Sequence, residues 1–434
     1  MHSFFPTSSL YLLKNAHIPE CLLESQSSKT ITREGLTPVD LIIKEGSIVS
    51  IDPAGSQERK DIPSYDLAQK IVFPSFVDLH THLDRSHIWQ RTPNPTGTFS
   101  DALEAVHHDK EKNFSLEDIY RRLEFSLKCS YAHGTAAIRT HIDCDGQKGL
   151  ITLKVFEELQ EKWSGRITLQ AASLVDLKYY LEPSGLALAD YLTQKGHVLG
   201  AFVYSNSNLE QQLDNIFVIA KQRKLKLDFH VDENGNPESR CLEQIAKTAL
   251  KYDYINQVTC GHCCSLAIQS QEVREKIIAL VKEAQIAVVS LPMCNLYLQD
   301  RHSQKTPLWR GITNVHELKA ANIDVCFASD NCRDPFYGFG DLDMLEVLSQ
   351  SVKIAHLDAP YGNWVQSVTS TSAKVMGINQ GKIAVGNSAD FIIFKARYFS
   401  ELFARPQSDR LIVKQGKIQE LKLPSYDELD DLIF

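Results

Sequence analysis

No run in this chain is long and apolar enough to cross a bilayer; the longest hydrophobic stretches are strand-sized. The opening residues, MHSFFPTSSLYLLKN, lack the basic start and extended apolar core of a secretory leader. Basic charge is short as well: a formal net charge of −8 argues against a nucleic-acid surface. Ten cysteines in 434 residues do not make a disulfide scaffold, and without a leader they are expected as reduced thiols of a cytoplasmic protein. Cys260, Cys263 and Cys264 cluster in TCGHCCSL but lack the second Cys/His pair of a closed structural zinc site, so buried, inert thiols are expected there. No G-x-G-x-x-G follows the early strands, and repeats, low-complexity tracts and long linkers are missing.

What is present is an ordinary globular composition, 43% hydrophobic and 23% charged, in a chain long enough for a large core. Its most informative stretch is FPSFVDLHTHLD, residues 73–84. Residues 71–80 read as one buried strand, with Pro74 at its start or edge. Strand side chains alternate faces, so His80 and His82 project the same way and can grip one metal ion.

Short antiparallel strands are predicted at both ends. DLIIKEGSIVSI (40–51) alternates around an EG turn, and RLIVKQGKIQEL (410–421) follows SADFIIFKA (388–396) with a QG turn. Together they predict a small β-sandwich from residues 1–70 and 380–434. Between them, residues 71–379 alternate strand and helix. The eight candidate strands are 71–80, 135–142, 167–176, 198–204, 225–231, 256–262, 286–291 and 324–330. Helical patterns lie at 115–132, 150–162, 207–223, 236–252, 265–284 and 313–322, followed by 341–357 and 362–376. Eight β/α units favour a closed (β/α)8 barrel, an α/β fold, over a doubly wound open sheet.

Polar residues recur where these strands end: His80 and His82, His141, Asp176, His230 with Glu233, His262 and Asp330. The C-terminal ends of barrel strands converge on one face, so these positions are expected to meet there. Three imidazoles and a carboxylate suit zinc or ferrous iron. Each residue also has a plainer reading. His141 fits a hydrogen-bonded core position, Asp330 a helix cap and Glu233 a solvated loop. His87, His107, His108, His133, His302 and His316 fall in helical or loop contexts and are expected at the surface.

HTHLD at 80–84, HVDE at 230–233, GH at 261–262 and SD at 329–330 resemble the amidohydrolase superfamily. NLYLQDR (295–301), RGITNVHELKAANIDVCFASD (310–330) and DPFYGFGDLDMLEVL (334–348) resemble segments of its bacterial cytosine deaminases at matching spacing. GKIAVGNSADFIIF (381–394) resembles the superfamily's returning sandwich strands. The resemblance implies that His80, His82, His230 and Asp330 bind one divalent ion, zinc or iron. It also implies that His262 holds the metal-bound hydroxide and that Glu233 shuttles protons to the substrate. The implied enzyme is a metal-dependent hydrolase of carbon–nitrogen bonds other than peptide bonds, a deaminase of a cytosine-like or related amino-substituted heterocycle. Hydrolysis of a cyclic amide or an N-alkyl group is the alternative. The implied partner is a small heterocyclic substrate, with no nucleic acid and no membrane, and enzymes of this resemblance commonly self-associate.

Three positions depart from the cytosine deaminase pattern. Asp176 stands where a glutamine reads the pyrimidine edge, and an ionised carboxylate only accepts hydrogen bonds where an amide also donates. Asn331 replaces a second acidic residue after Asp330, and Phe336 replaces a tryptophan. Arg85, just after HTHLD, is a further difference, and its fork would suit a carbonyl or carboxylate on the substrate. Asp176, Arg85, Asn331 and Phe336 are therefore the candidate substrate contacts, and a larger purine-like or pterin-like ring stays open.

Overall fold

The structure, a computed structural model, describes residues 5–6, 8–24, 31–56 and 61–433. The chain divides into two compact units. One comprises Met1–Val77, Tyr131–Ala136 and Met344–Leu423; the other comprises Asp78–Ser130, Ala137–Asp343 and Pro424–Phe434.

The first unit begins with β1 (Leu10–Pro19), β2 (Leu36–Lys44), β3 (Ser47–Pro53) and β4 (Ser64–Asp66), which form one sheet in the order β3-β2-β1-β4. The β2–β3 hairpin turns through Glu45 and Gly46, both at positive φ, the geometry that glycine makes accessible in two-residue turns. The next strand departs from expectation. Residues 71–80 do not form one strand but break at Ser75 into β5 (Val72–Pro74) and β6 (Phe76–Thr81). Pro74 offers no N–H to continue a ladder, and β5 joins a sheet of the first unit while β6 enters the barrel.

The barrel strands are β6, β7 (Thr135–Asp143), β8 (Thr168–Leu174), β9 (Leu199–Val203), β10 (Leu227–Val231), β11 (Val258–His262), β12 (Ala287–Ser290) and β13 (Val325–Phe327). They match the eight expected strands in order. One three-stranded run, β6-β7-β8, and one five-stranded run, β9 to β13, are joined at both edges. At the first seam Val198 donates to the Ala171 carbonyl and Phe202 to that of Val175. At the second, the Asp330 amide donates to the His80 carbonyl at 2.9 Å beside a parallel Thr81–Asp330 bridge. The ring of eight strands is thereby closed. Every residue of β6, β10, β11 and β12 is buried, as parallel strands covered by helices require.

The helices between them are α1 (Phe99–Lys112), α2 (Leu116–Ala132), α3 (Gly146–Lys162), α4 (Pro183–Lys195), α5 (Leu209–Arg223), α6 (Cys241–Lys251), α7 (Gln271–Glu283), α8 (Pro292–Leu298) and α9 (Val315–Ala320). Three of these, α1, α4 and α8, have no counterpart in the sequence reading. In α1 only Ala102, Val106 and Asp109 are buried, so its apolar stripe is too thin to register as a helical period. Its start is nevertheless capped, with the Thr98 side chain accepting from the Asp101 amide. The chain then returns to the first unit with α10 (Met344–Ile354) and α11 (Ser370–Met376). There β14 (Phe391–Ile393), β15 (Leu411–Lys414) and β16 (Lys417–Gln419) form a second sheet with β5. The two sheets of this unit meet where the Tyr11 hydroxyl donates to the Gly416 carbonyl at 2.5 Å.

Candidate active site

The strand ends of the barrel bring four potential ligands together. Nε2 of His80 lies 3.1 Å from Nε2 of His230, which lies 3.2 Å from Nε2 of His82. Oδ1 of Asp330 stands 3.2 Å from Nε2 of His82 and 3.6 Å from that of His80. Burial, reinforced by neighbouring cationic or imidazole groups, holds all three imidazoles well below the usual histidine range, hence neutral. Burial also pushes the Asp330 carboxyl up to about 7. Neither Asp330 oxygen has a hydrogen-bond partner, although both are buried.

A divalent cation fits this donor set. Three imidazole nitrogens and one carboxylate oxygen converge at these separations, each able to offer a lone pair to a single ion. The spacings bracket the edge of roughly 3.3 Å expected for a tetrahedron with metal–nitrogen bonds of about 2.0–2.1 Å. Neutral imidazoles are the form that ligates.

Backbone details hold the ligands in place. Asp78, two residues before His80 on β6, accepts from the Ser329 amide at 3.1 Å and from the Ser329 hydroxyl at 2.5 Å. That pins the segment carrying Asp330 against β6. His262 and Asp330 both adopt positive φ, +69° and +64°, a costly conformation for residues with a Cβ that recurs at functional sites.

Glu233 and His262 flank the cluster. Oε1 of Glu233 is 3.3 Å from Nδ1 of His262, and the Asn295 amide group donates to that same oxygen at 3.2 Å. The Asn295 nitrogen also lies 3.0 Å from Nδ1 of His262. A donor there makes Nδ1 the acceptor and puts the proton of the neutral ring on Nε2, which is buried and unpartnered. Burial lowers His262 to about 3, so the ring stays neutral. Glu233 is shifted the other way: burial first, then the Asp330 charge, raise it well above the usual carboxylate range, with Arg85 opposing.

The cluster opens into a cavity of about 370 Å³, within the size range of small-molecule sites. His82, His230, His262 and Glu233 form its floor; α1 supplies Phe99, Leu103 and Val106 to one wall. All four candidate substrate contacts line it, each with its own constraints. Asp176 caps the short helical turn that follows, accepting from the Lys178 amide at 2.9 Å and from the Tyr204 hydroxyl at 3.0 Å. Asn331 donates to Asp334 at 2.7 Å. The Arg85 guanidinium sits 5.2 Å from the centre of the Phe336 ring, and its Nη2 lies 2.8 Å from Nδ1 of His82.

Some residues stand elsewhere than expected, and others were overlooked. His87 is not a surface residue: it is buried against Phe125, with ring centroids 4.9 Å apart, and neither ring nitrogen has a partner. His141 is buried under the cluster with its ring centroid 4.0 Å from that of His80. Cys260, Cys263 and Cys264 are buried, and burial raises their thiols well above the usual range. Asn295 carries no strand-end or ligand signal of its own and enters the sequence reading only as the first residue of NLYLQDR (295–301). Asp143 was overlooked despite a signal, since it follows His141 at i+2 as His82 follows His80, and lines the cavity.

Residues 128–418 match the model of a family described as "Amidohydrolase family". The chain is 42% identical over 430 residues to a pterin deaminase of Rhizobium rhizogenes, covering 99% of this chain and 98% of that one. It is 25% identical to the N-isopropylammelide isopropyl amidohydrolase of Pseudomonas sp. strain ADP, over 87% of this chain and 93% of that one. Among solved structures, 5-methylcytosine deaminase from Klebsiella pneumoniae, liganded with 5-fluorocytosine, superposes with a TM-score of 0.80. That match has 24% identity and covers 96% of this chain and all of the other.

Proposed function

Because this chain belongs to the amidohydrolase family, we propose that it is a metal-dependent hydrolytic deaminase of an amino-substituted heterocycle, with a pterin-like fused ring as the substrate. The observation that carries this reading is the convergence of His80, His82, His230 and Asp330 beside Glu233 at the floor of one cavity. Likeness to a pterin deaminase along the whole chain supports the fused ring.

His80, His82, His230 and Asp330 would hold one divalent ion, zinc or iron by their mixed nitrogen and oxygen donors. Such an ion lowers the pKa of a coordinated water, making a nucleophile available near neutral pH. The remaining work falls to the protein's own groups. Glu233 takes a proton from the attacking water and gives it to the ring nitrogen beside the attacked carbon. The new carbon–oxygen bond turns that carbon tetrahedral. Glu233 then passes the second proton from that oxygen to the amine. The carbon–nitrogen bond breaks, ammonia leaves and a carbonyl remains, so atoms and charge balance. A carboxyl that burial raises well above the usual carboxylate range suits this exchange, because it takes up a proton more readily than an ordinary carboxylate does.

His262, with its proton on Nε2, donates to the oxygen as charge develops there, and Asn295 fixes that tautomer. Asp176, Asn331 and Phe336 line the cavity that would take the ring. The alternative, hydrolysis of an N-alkyl group by the same floor, has the Pseudomonas relative in its favour. Metal-loaded protein incubated with pterins, aminopurines and aminopyrimidines should release ammonia. No ammonia from any of them, or alkylamine from N-alkyl triazines instead, overturns the deaminase reading.

A further inference from the structure

We propose that Arg85 and Asp143 together read the N–H/C=O edge of a 2-amino-4-oxopyrimidine ring, the edge shared by pterins, isocytosine and guanine. The pair thereby sets the preference over cytosine-type rings, and the inference rests on the deamination reading above.

Arg85 is only 9% exposed, yet its Nε has no hydrogen-bond partner. A buried guanidinium N–H without an acceptor is costly and implies a missing one. Its Nη2 lies 3.6 Å from Oδ1 of Asp143, and both side chains line the cavity. Asp143 is held from behind, its amide donating to Asp84 at 3.1 Å, while the Arg85 guanidinium lies over the Phe336 ring at 5.2 Å. Donor and acceptor thus stand side by side on rigid supports, at the end of β7 and in the loop after β6.

Their place relative to Glu233 decides which edge they meet. Glu233 lies beside His262 and Asn295, whereas Arg85 lies against His82. A ring with its amine-bearing carbon over the cluster therefore turns one flank toward Glu233 and the other toward the pair. In a 2-amino-4-oxo ring those flanks differ. N1 carries no proton and needs one from Glu233; N3 carries a proton and is followed by the C4 carbonyl. The N3–H is donated to the Asp143 carboxylate, and the carbonyl accepts from Arg85. In cytosine the attacked carbon has its imine nitrogen on one flank and a C–H on the other. Arg85 Nε and the Asp143 carboxylate would then face carbon, and neither would gain a hydrogen bond from the ring. Sites built around such hydrogen bonds reject analogues lacking them far more strongly than apolar pockets do.

The test uses full-length, metal-loaded protein. Ammonia release from pterin, isocytosine and cytosine is compared in wild type, D143A, D143N and R85M. Binding of lumazine, the 2,4-dioxo product that keeps the same edge, is measured by fluorescence titration, and metal content by elemental analysis. The expectation is a loss of roughly 100-fold or more in kcat/KM for pterin in D143A and R85M, with the pterin-to-cytosine ratio collapsing. D143N, which keeps one acceptor oxygen, recovers part of that loss. Lumazine affinity falls about tenfold or more in D143A with metal content unchanged. An unchanged substrate ratio and unchanged lumazine affinity in D143A and R85M overturn the pair assignment while leaving deamination intact. If wild type releases no ammonia from any ring, the deamination reading falls, and the lumazine comparison still decides whether this pair binds the edge.

Discussion

A β-carbon placed on Gly261 would stand 3.0 Å from Cε1 of His80 and 3.2 Å from its Nδ1. Gly261 pairs in register with His230 across β10 and β11, so the missing side chain makes room for one histidine opposite another. The requirement is for space: Gly261 is not among the positive-φ glycines. GH at 261–262 thus has a physical meaning, with the glycine clearing the His80 ring and the histidine presenting its own.

Replacing Gly261 with alanine should therefore push His80 a few tenths of an ångström out of line without disturbing the strand. Metal affinity is expected to fall about 10- to 100-fold, the scale seen when a ligand loses its positioning. Metal-competition titration measures this directly, and wild-type affinity in G261A would mean that His80 has room the structure does not give it.

Glu233→Gln keeps size and hydrogen bonding to Asn295 but cannot accept or release a proton. The expected result is a loss of roughly 100- to 10,000-fold in kcat with metal content retained. Retained turnover would assign the proton transfers to another group.

Removing the ion should affect stability as well as turnover, because the four groups that face one another lose the charge that reconciles them. A chelated sample should unfold at lower temperature, by a stability difference of about 3–4 kcal/mol when the ion had been present at 100 to 1,000 times its dissociation constant. Re-addition of zinc or iron restores both properties. An unshifted melting curve after verified metal loss contradicts the placement of these ligands in one site.

His87 predicts a pH effect on stability that is separate from turnover. Burial first, then the Arg333 charge, lowers its pKa from 6.5 to about 3 in the folded chain. The group is neutral when folded but takes up a proton on unfolding in acid. Its contribution is therefore complete above pH 6.5 and is lost as the pH falls toward 3, at up to about 1.4 kcal/mol per pH unit. Denaturant titrations of H87L should show a shallower acid limb than wild type, whatever the absolute stabilities. Parallel limbs would place the acid sensitivity elsewhere.

Much of the fold could be read from the chain because parallel barrel strands are short apolar runs punctuated by polar ends. All eight barrel strands are legible that way, and His80, His82, His230, His262, Glu233 and Asp330 stand at or just beyond their ends. The elements that escaped carry weak local signals. The stripe of α1 buries three residues, and β5 and β6 form one apolar run until Pro74 and Ser75 divide it. His87 sits in a loop, and a loop residue's burial depends on what folds over it, here Phe125 of α2.

By itself the sequence determined the alternation of strands and helices and the kinds of ligand at the strand ends, because side-chain period and residue chemistry are local properties. Only the tertiary structure decided which polar groups meet. It set Asn295 of α8 against Glu233 and His262, engaged Asp176 with Lys178 and Tyr204, and brought Arg85 beside Asp143. Apart from the local Asp176–Lys178 cap, those pairings join residues from separate β/α units, which become neighbours only when the strands close into a ring and their ends share one face.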